Sequence, residues 1–230
     1  MARSLIIVVA LLACLWPTTA AATTGGNEPL EVLGYAPGDG KVYLLRQIDD
    51  GSEALPMLYF AAVDGPHAGR VFEVASWYRE LDDPDVDHDA AVERFWAKLA
   101  RLRKRLRPVK TIEPLCTTKV VVTKTTPVDD PWDPAWDTRY ELDIAVTAPG
   151  RGGKTVHRTV TAYSPTVDIA AEIRVPGKAI AVVLVRYFSM PYEHGYHSDI
   201  AVGIPLGPRA IRRGVAAPAV PYHPYSTDDG

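Results

Sequence analysis

The sequence predicts a mostly β fold of the α+β class, an antiparallel sheet or sandwich built from consecutive hairpins with one main amphipathic helix packed on it. Residues 179–185 are apolar without a break and rich in β-branched side chains, which is typical of a strand covered on both faces. Several other segments alternate apolar and polar residues, and one segment repeats apolar residues at spacings of three and four. Apolar residues make up 47% and charged residues 23% of the 230-residue chain, which are ordinary values for a globular protein.

The N-terminus has the three parts of a secretory signal peptide, predicted over residues 1–22. Arg3 supplies a positive charge, residues 5–16 are apolar, and residues 17–22 are small or helix-breaking. The sequence therefore predicts a secreted or periplasmic protein, with no transmembrane span left once the signal is removed. A second interpretation stays open, because residues 11–14 resemble a lipoprotein cleavage box that would place a lipid anchor on Cys14.

A single secreted globular domain is predicted over residues 28–206, and its first part is a β-meander over residues 30–76. Turn-forming residues 37–40 join two apolar segments, and residues 64–69 join two more. No second copy of this unit follows, so the sequence does not predict a repeat fold such as a propeller.

The main helix is predicted over residues 89–106 and ends before Pro108. The acidic residues before it favour helix capping by Asp87 or Asp89 over a calcium loop, which would need a Gly and a closing Glu that are absent. Its predicted apolar stripe consists of Val92, Phe95, Trp96, Leu99, Leu102 and Leu106.

The second half of the domain is predicted to be an antiparallel sheet over residues 118–205. Tyr140, Leu142 and Ile144 alternate with polar residues, as do the apolar residues of 167–175. The apolar run at 179–185 is predicted to be the central strand, followed by a polar loop and a returning strand. Residues 207–230 are dense in proline and are predicted to form a mobile tail.

The charge balance bears on the partners of the protein. The net charge of −3 argues against a dedicated nucleic-acid-binding protein, which needs an excess of Lys and Arg to neutralise phosphates. Two cysteines are too few for a disulfide scaffold, and Cys116 alone remains if Cys14 is removed with the signal.

Residues 127–137 form an aromatic and acidic loop that is the first candidate binding site. Trp132 and Trp136 could stack on a sugar or a peptide, and Asp133 and Asp137 could hold hydroxyl groups or an ion. The alternative is that both tryptophans fold back over the edge of the sheet, since large aromatic side chains usually bury most of their surface.

Residues 193–197 are the second candidate site, because Glu193, His194 and His197 could ligate a transition metal. A further ligand would have to come from elsewhere in the chain, with Asp168, Asp199 and His157 as candidates. The alternative is a structural loop whose histidines are hydrogen-bonded.

The chain resembles a family of predicted secreted bacterial proteins of unknown function. The residues that carry the resemblance are the export signal, the turn from Gly34 to Gly40, the charged helix in the middle of the chain, and the segment from Glu193 to Tyr196 after a hydrophobic strand. The resemblance implies an exported domain and no particular activity.

Two functional hypotheses follow. The favoured one is an exported, non-catalytic envelope or extracellular protein that binds an envelope protein or a glycan through the tryptophan loop and needs no cofactor. The other is a metal-binding protein or metal-dependent hydrolase that uses the loop at residues 193–197 and a transition-metal ion.

Overall fold

The computed structural model describes residues 27–47, 55–81, 83, 85–112, 118–128, 138–148, 154–190 and 196–206. Within these ranges the chain forms eleven strands, a short 3-10 helix at Ala75–Trp77 and one α-helix, α1. In chain order they are β1 Leu30–Ala36, β2 Lys41–Arg46, β3 Met57–Ala62, β4 Val71–Glu73, α1 His88–Arg105, β5 Lys110–Ile112, β6 Lys119–Val128, β7 Arg139–Thr147, β8 Thr155–Ala162, β9 Val167–Arg174, β10 Ile180–Met190 and β11 Tyr196–Pro205.

The strands form three antiparallel sheets. The N-terminal sheet has the order β1-β2-β3-β4, the central sheet has the order β11-β10-β9-β5, and the outer sheet has the order β6-β7-β8. The predicted fold class, mostly β with one main helix, is therefore confirmed. The sequence did not predict that the strands after residue 118 divide between two sheets.

Strand β10 has the double burial that its unbroken apolar sequence predicts. Val182 and Leu184 pack against the N-terminal sheet, while Val183 and Val185 pack against the outer sheet. All four side chains are buried, as a strand with a layer on each face requires. The central sheet thus shares one hydrophobic core with each of its neighbours.

Helix α1 covers the other face of the N-terminal sheet. Phe95, Leu99 and Leu102 pack with Leu45 and Leu58 in a third core. The side chain of Asp87 caps the helix by accepting hydrogen bonds from the backbone N–H groups of the second and third residues of α1, which confirms the capping interpretation.

The predicted stripe on α1 was wrong at Trp96, which is 46% exposed. Consecutive helical residues point about 100° apart, so Phe95 and Trp96 cannot both face the core. Phe95 faces the sheet, and the ring of Trp96 contacts the ring of Phe95 from the solvent side at 5.4 Å between centroids.

In the part of the chain that the structure describes, no helix is both long and apolar enough to cross a membrane. The predicted signal peptide, Cys14 and the proline-rich tail lie outside the described residues.

Candidate functional site: a cleft beside strand β1

The chain opens a cleft where it passes from the N-terminal sheet to the central sheet. At one end of this crossing segment, residues 107–112, Arg107 exchanges two backbone hydrogen bonds with Tyr35 of β1, at 2.9 and 2.8 Å. At the other end, β5 pairs with β9 of the central sheet. Because the crossing segment leaves the edge of β1 to join the central sheet, β1 and the segment diverge, and the space between them widens into a fork.

Gly34 fixes the closed end of this fork. Its φ is 139°, which favours glycine, and a Cβ built on it would lie 2.7 Å from the carbonyl oxygen of Arg107. Only a residue without a side chain lets β1 and the crossing segment approach this closely. Gly34 therefore has a structural role at the site where the cleft begins.

The cleft encloses about 530 Å³. Six of the lining residues are apolar and come from three strands and the residue before β1, and six are polar or charged. Most of the lining surface is apolar, which is typical of a small-molecule site. The lining residues are Pro29, Leu30, Glu31, Val32, Gln47, Arg103, Thr111, Ala170, Ala171, Leu184, Arg186 and Asp199.

An ion pair between the partly buried Arg186 and the buried Asp199 forms the inner end of the cleft. Arg186 Nε lies 2.9 Å from Asp199 Oδ1, and its Nη2 lies 3.2 Å from Oδ2, so the contact is bidentate. The carboxylate of Asp199 also accepts the backbone N–H of Leu30 at 3.3 Å, and Asp199 is only 2% exposed. These bonds satisfy the buried charge, and they tie β1 of one sheet to β11 of the other.

Arg46 binds the backbone of Asp199, the acidic member of this ion pair. Its Nη2 donates to the carbonyl oxygen of Asp199 at 2.9 Å, and its guanidinium lies 5.5 Å from the ring centre of Tyr59. Burial raises the pKa of the Tyr59 phenol above its usual value, although the positive charge of Arg46 opposes the shift. Tyr59 is therefore neutral at physiological pH and presents a ring face to the cation.

A second ion pair lies at the outer end of the cleft, and it is more exposed. Arg103 Nη2 is 3.1 Å from Glu31 Oε2, and Gln47 Nε2 donates to the same oxygen at 3.3 Å. About half of the Arg103 side chain is exposed, at 47%. Exposed pairs of this kind contribute about 1 kcal/mol or less, so Arg103 can exchange Glu31 for an anionic group of a ligand at little cost.

The predicted metal site is only partly described. His197 lies in β11, where its side chain is exposed, its ring is 5.5 Å from that of Phe188, and its backbone N–H donates to Asn27 Oδ1. Glu193 and His194 lie outside the described residues. Asp199 binds Arg186, and among the described residues no three His, Cys, Asp or Glu side chains are grouped closely enough to hold a metal ion. The metal site stays a prediction.

The four residues of the predicted tryptophan loop, Trp132, Asp133, Trp136 and Asp137, also lie outside the described residues. The loop connects the end of β6 at Val128 to the start of β7 at Arg139. Its role in binding stays a prediction.

The sequence did not point to the β1 cleft, but it contains one signal of its inner end. Arg186 interrupts the apolar run of β10, and Asp199 precedes the apolar residues of β11. In a β10–β11 hairpin the two residues are direct cross-strand partners, which places opposite charges side by side.

Comparison with protein-family models, with curated proteins and with solved structures finds no match to this chain.

Proposed function

We propose that this chain is an exported, non-catalytic protein of the envelope or extracellular space, and that the β1 cleft binds a small ligand. The observation that carries the proposal is the cleft itself, with apolar walls and an ion pair at each end. Its volume of about 530 Å³ lies in the usual range for ligand sites. Export is supported by the signal-like N-terminus.

The chemistry of the walls favours a ligand with an aliphatic body and one polar or anionic end. Leu30, Val32 and Leu184 provide apolar contact, and burial of apolar ligand surface provides most of the affinity at such sites. Of the two arginines that line the cleft, Arg103 is the more accessible, because its side chain is 47% exposed and that of Arg186 is 23% exposed. Binding of an envelope protein or a glycan by the tryptophan loop would be a separate activity of the same exported protein.

The proposal is tested with anilinonaphthalene sulfonate, a fluorescent probe with an apolar body and an anionic end. We expect saturable binding at one site per chain. Ala170→Phe should weaken it at least tenfold, because Ala170 lines the cleft and a phenyl group there fills the space. The matched control is Val121→Phe, which places the same side chain at a strand position that is 53% exposed on the outer sheet.

A second pair of variants avoids the core. Arg103→Gln should weaken probe binding several-fold, because it removes the cation at the outer end of the cleft, whereas Arg101→Gln changes an exposed residue of α1 that does not line it. Equal binding by the wild type, Ala170→Phe and Arg103→Gln would overturn the proposal. Thermal melting of each variant shows whether the fold is retained.

A further inference from the structure

The peptide groups of Val32 point out of the N-terminal sheet into the β1 cleft. In an antiparallel pair, the peptide groups of successive residues point alternately toward the partner strand and away from it. The backbone N–H of Leu30 points away from β2, since it donates to Asp199. The peptide N–H and C=O of Glu31 therefore point toward β2, and those of Val32 point away from it again. Strand β1 has a bulge at Leu33. Beyond the bulge, the backbone N–H and C=O of Tyr35 also point away from β2, toward Arg107.

The edge of β1 is thus covered on both sides of Val32. Asp199 accepts the N–H of Leu30 at 3.3 Å, and Arg107 exchanges both backbone bonds with Tyr35. Between these two contacts the crossing segment departs for the central sheet, and Glu31 and Val32 line the cleft that it leaves. The opening at the edge therefore accommodates one paired residue.

We propose that the ligand of the β1 cleft carries an extended peptide residue that pairs with Val32 as Arg107 pairs with Tyr35. This inference rests on the proposed function and names the chemical class of the ligand. The N–H of Val32 donates to the ligand carbonyl, and the ligand N–H donates to the carbonyl of Val32, as in other cases of strand addition at a sheet edge.

The same pairing places the ligand side chain inside the cleft. Directly opposed residues of an antiparallel pair point to the same face of the sheet. The side chain of Val32 points toward the core between the N-terminal and central sheets. The side chain of the paired ligand residue therefore points the same way and reaches Leu184 and Ala171. These walls fit an aliphatic side chain. A glycan has no N–H and C=O pair at this spacing on an apolar body.

The ligand-side test uses N-acetyl-leucine methylamide, the smallest molecule with one leucine between two amide groups. Its binding is followed by amide NMR shifts of the labelled protein at millimolar ligand. We expect saturable shifts at Val32, Thr111, Ala170 and Leu184. The matched ligand is methylated on the leucine nitrogen, so it lacks the N–H that donates to the carbonyl oxygen of Val32. We expect it to bind at least fivefold more weakly.

The protein-side test compares two substitutions at one position. Val32→Pro removes the N–H that points into the cleft, and proline is tolerated on edge strands where the N–H has no strand partner. Val32→Ala retains the N–H and removes side-chain contact. We expect Val32→Pro to weaken the leucine compound at least fivefold relative to Val32→Ala. If Val32→Pro does not fold, the comparison of the two ligands still decides.

The outcomes separate the two proposals. Equal binding of the two leucine compounds, no binding of either, or shifts away from the cleft would overturn peptide pairing, while sensitivity of the sulfonate probe to Ala170→Phe would still support a ligand cleft. Insensitivity of the sulfonate probe to the cleft variants would overturn the cleft and the pairing together.

Discussion

At the scale of single residues, Tyr78 joins the segment after β4 to the start of β3. Its hydroxyl accepts the backbone N–H of Leu58 at 2.6 Å and donates to the carbonyl oxygen of Pro56 at 2.7 Å. Leu58 is fully buried, so its N–H has no access to water if the phenol is removed. One side chain thus satisfies a backbone donor in β3 and a backbone acceptor in the residue just before it.

We predict that Tyr78→Phe lowers the free energy of unfolding by about 1–3 kcal/mol at neutral pH, because it leaves a buried N–H group unsatisfied. Urea denaturation followed by circular dichroism measures the change. Wild-type stability in the variant would show that the hydroxyl contributes nothing to the fold.

The effect of Tyr78 is predicted to depend on pH at the alkaline end. Burial raises the pKa of Tyr78 from 10.0 to about 12. The pKa of the Tyr78 phenol is higher in the folded than in the unfolded protein. Its contribution to the free energy of unfolding is therefore complete below pH 10 and is lost as the pH rises toward about 12. Since the ring is half-buried, this contribution is about 1–2 kcal/mol. The difference between wild type and Tyr78→Phe should narrow over this range, and a constant difference would contradict the assignment.

At the scale of elements, Phe95 and Trp96 are neighbours on α1 that contribute to stability very differently. Phe95 is 1% exposed and contacts the rings of Trp77 and Tyr78, whereas nearly half of Trp96 faces solvent. We predict that Phe95→Ala costs about 3–5 kcal/mol, because it leaves a cavity between helix and sheet. Trp96→Ala should cost about 1 kcal/mol or less.

Urea denaturation of the two alanine variants measures these costs, and each serves as the control for the other. Similar losses in both would mean that α1 does not pack through the face of Phe95. A larger loss for Trp96→Ala would mean that the helix is rotated about its axis from the orientation described.

Elements whose signals are local were predictable from the sequence. The helix was predicted over residues 89–106 and runs over His88–Arg105, because its capping residue and its apolar spacing lie within it. Strand β10 was predictable because seven consecutive apolar residues require cover on both faces. The error at Trp96 arose because an apolar pattern records which residues are hydrophobic and not which of two adjacent ones faces the core.

The candidate site was not predictable in the same way, because it depends on pairing between distant segments. The β1 cleft exists because the crossing segment pairs with β1 at Arg107 and with β9 from Lys110 onward. Nothing local to residues 107–112 indicates a change of sheet. The Arg186–Asp199 pair became visible only with the register of the β10–β11 hairpin.

At the scale of the whole molecule, the layers were harder to predict than the strands. Strands β7 and β9 both alternate apolar and polar residues, yet β7 lies in the outer sheet and β9 in the central sheet. Alternation records that one face is buried and does not identify the layer that buries it. How the layers then pack depends on how closely they can approach.

Two glycines set one such approach between the N-terminal and central sheets. Gly203 of β11 lies against Gly69 in the turn between β3 and β4, and a Cβ built on Gly203 would be 2.5 Å from the carbonyl oxygen of Gly69. No side chain is tolerated at that distance, and backbone atoms cannot rotate out of the way. An added methyl group must therefore push the two sheets apart.

We predict that Gly203→Ala lowers the free energy of unfolding by about 1–3 kcal/mol through this overpacking. The matched control is Gly38→Ala, because a Cβ built on Gly38 meets no atom of the described residues within 4 Å, and this substitution should leave stability unchanged or raise it by about 0.4–1 kcal/mol. Urea denaturation measures both.

Because Leu30, Val32 and Leu184 line the β1 cleft between the same two sheets, Gly203→Ala should also weaken binding of the sulfonate probe if the sheets move as rigid layers. Lost stability with unchanged probe binding would mean that the displacement stays local to β11.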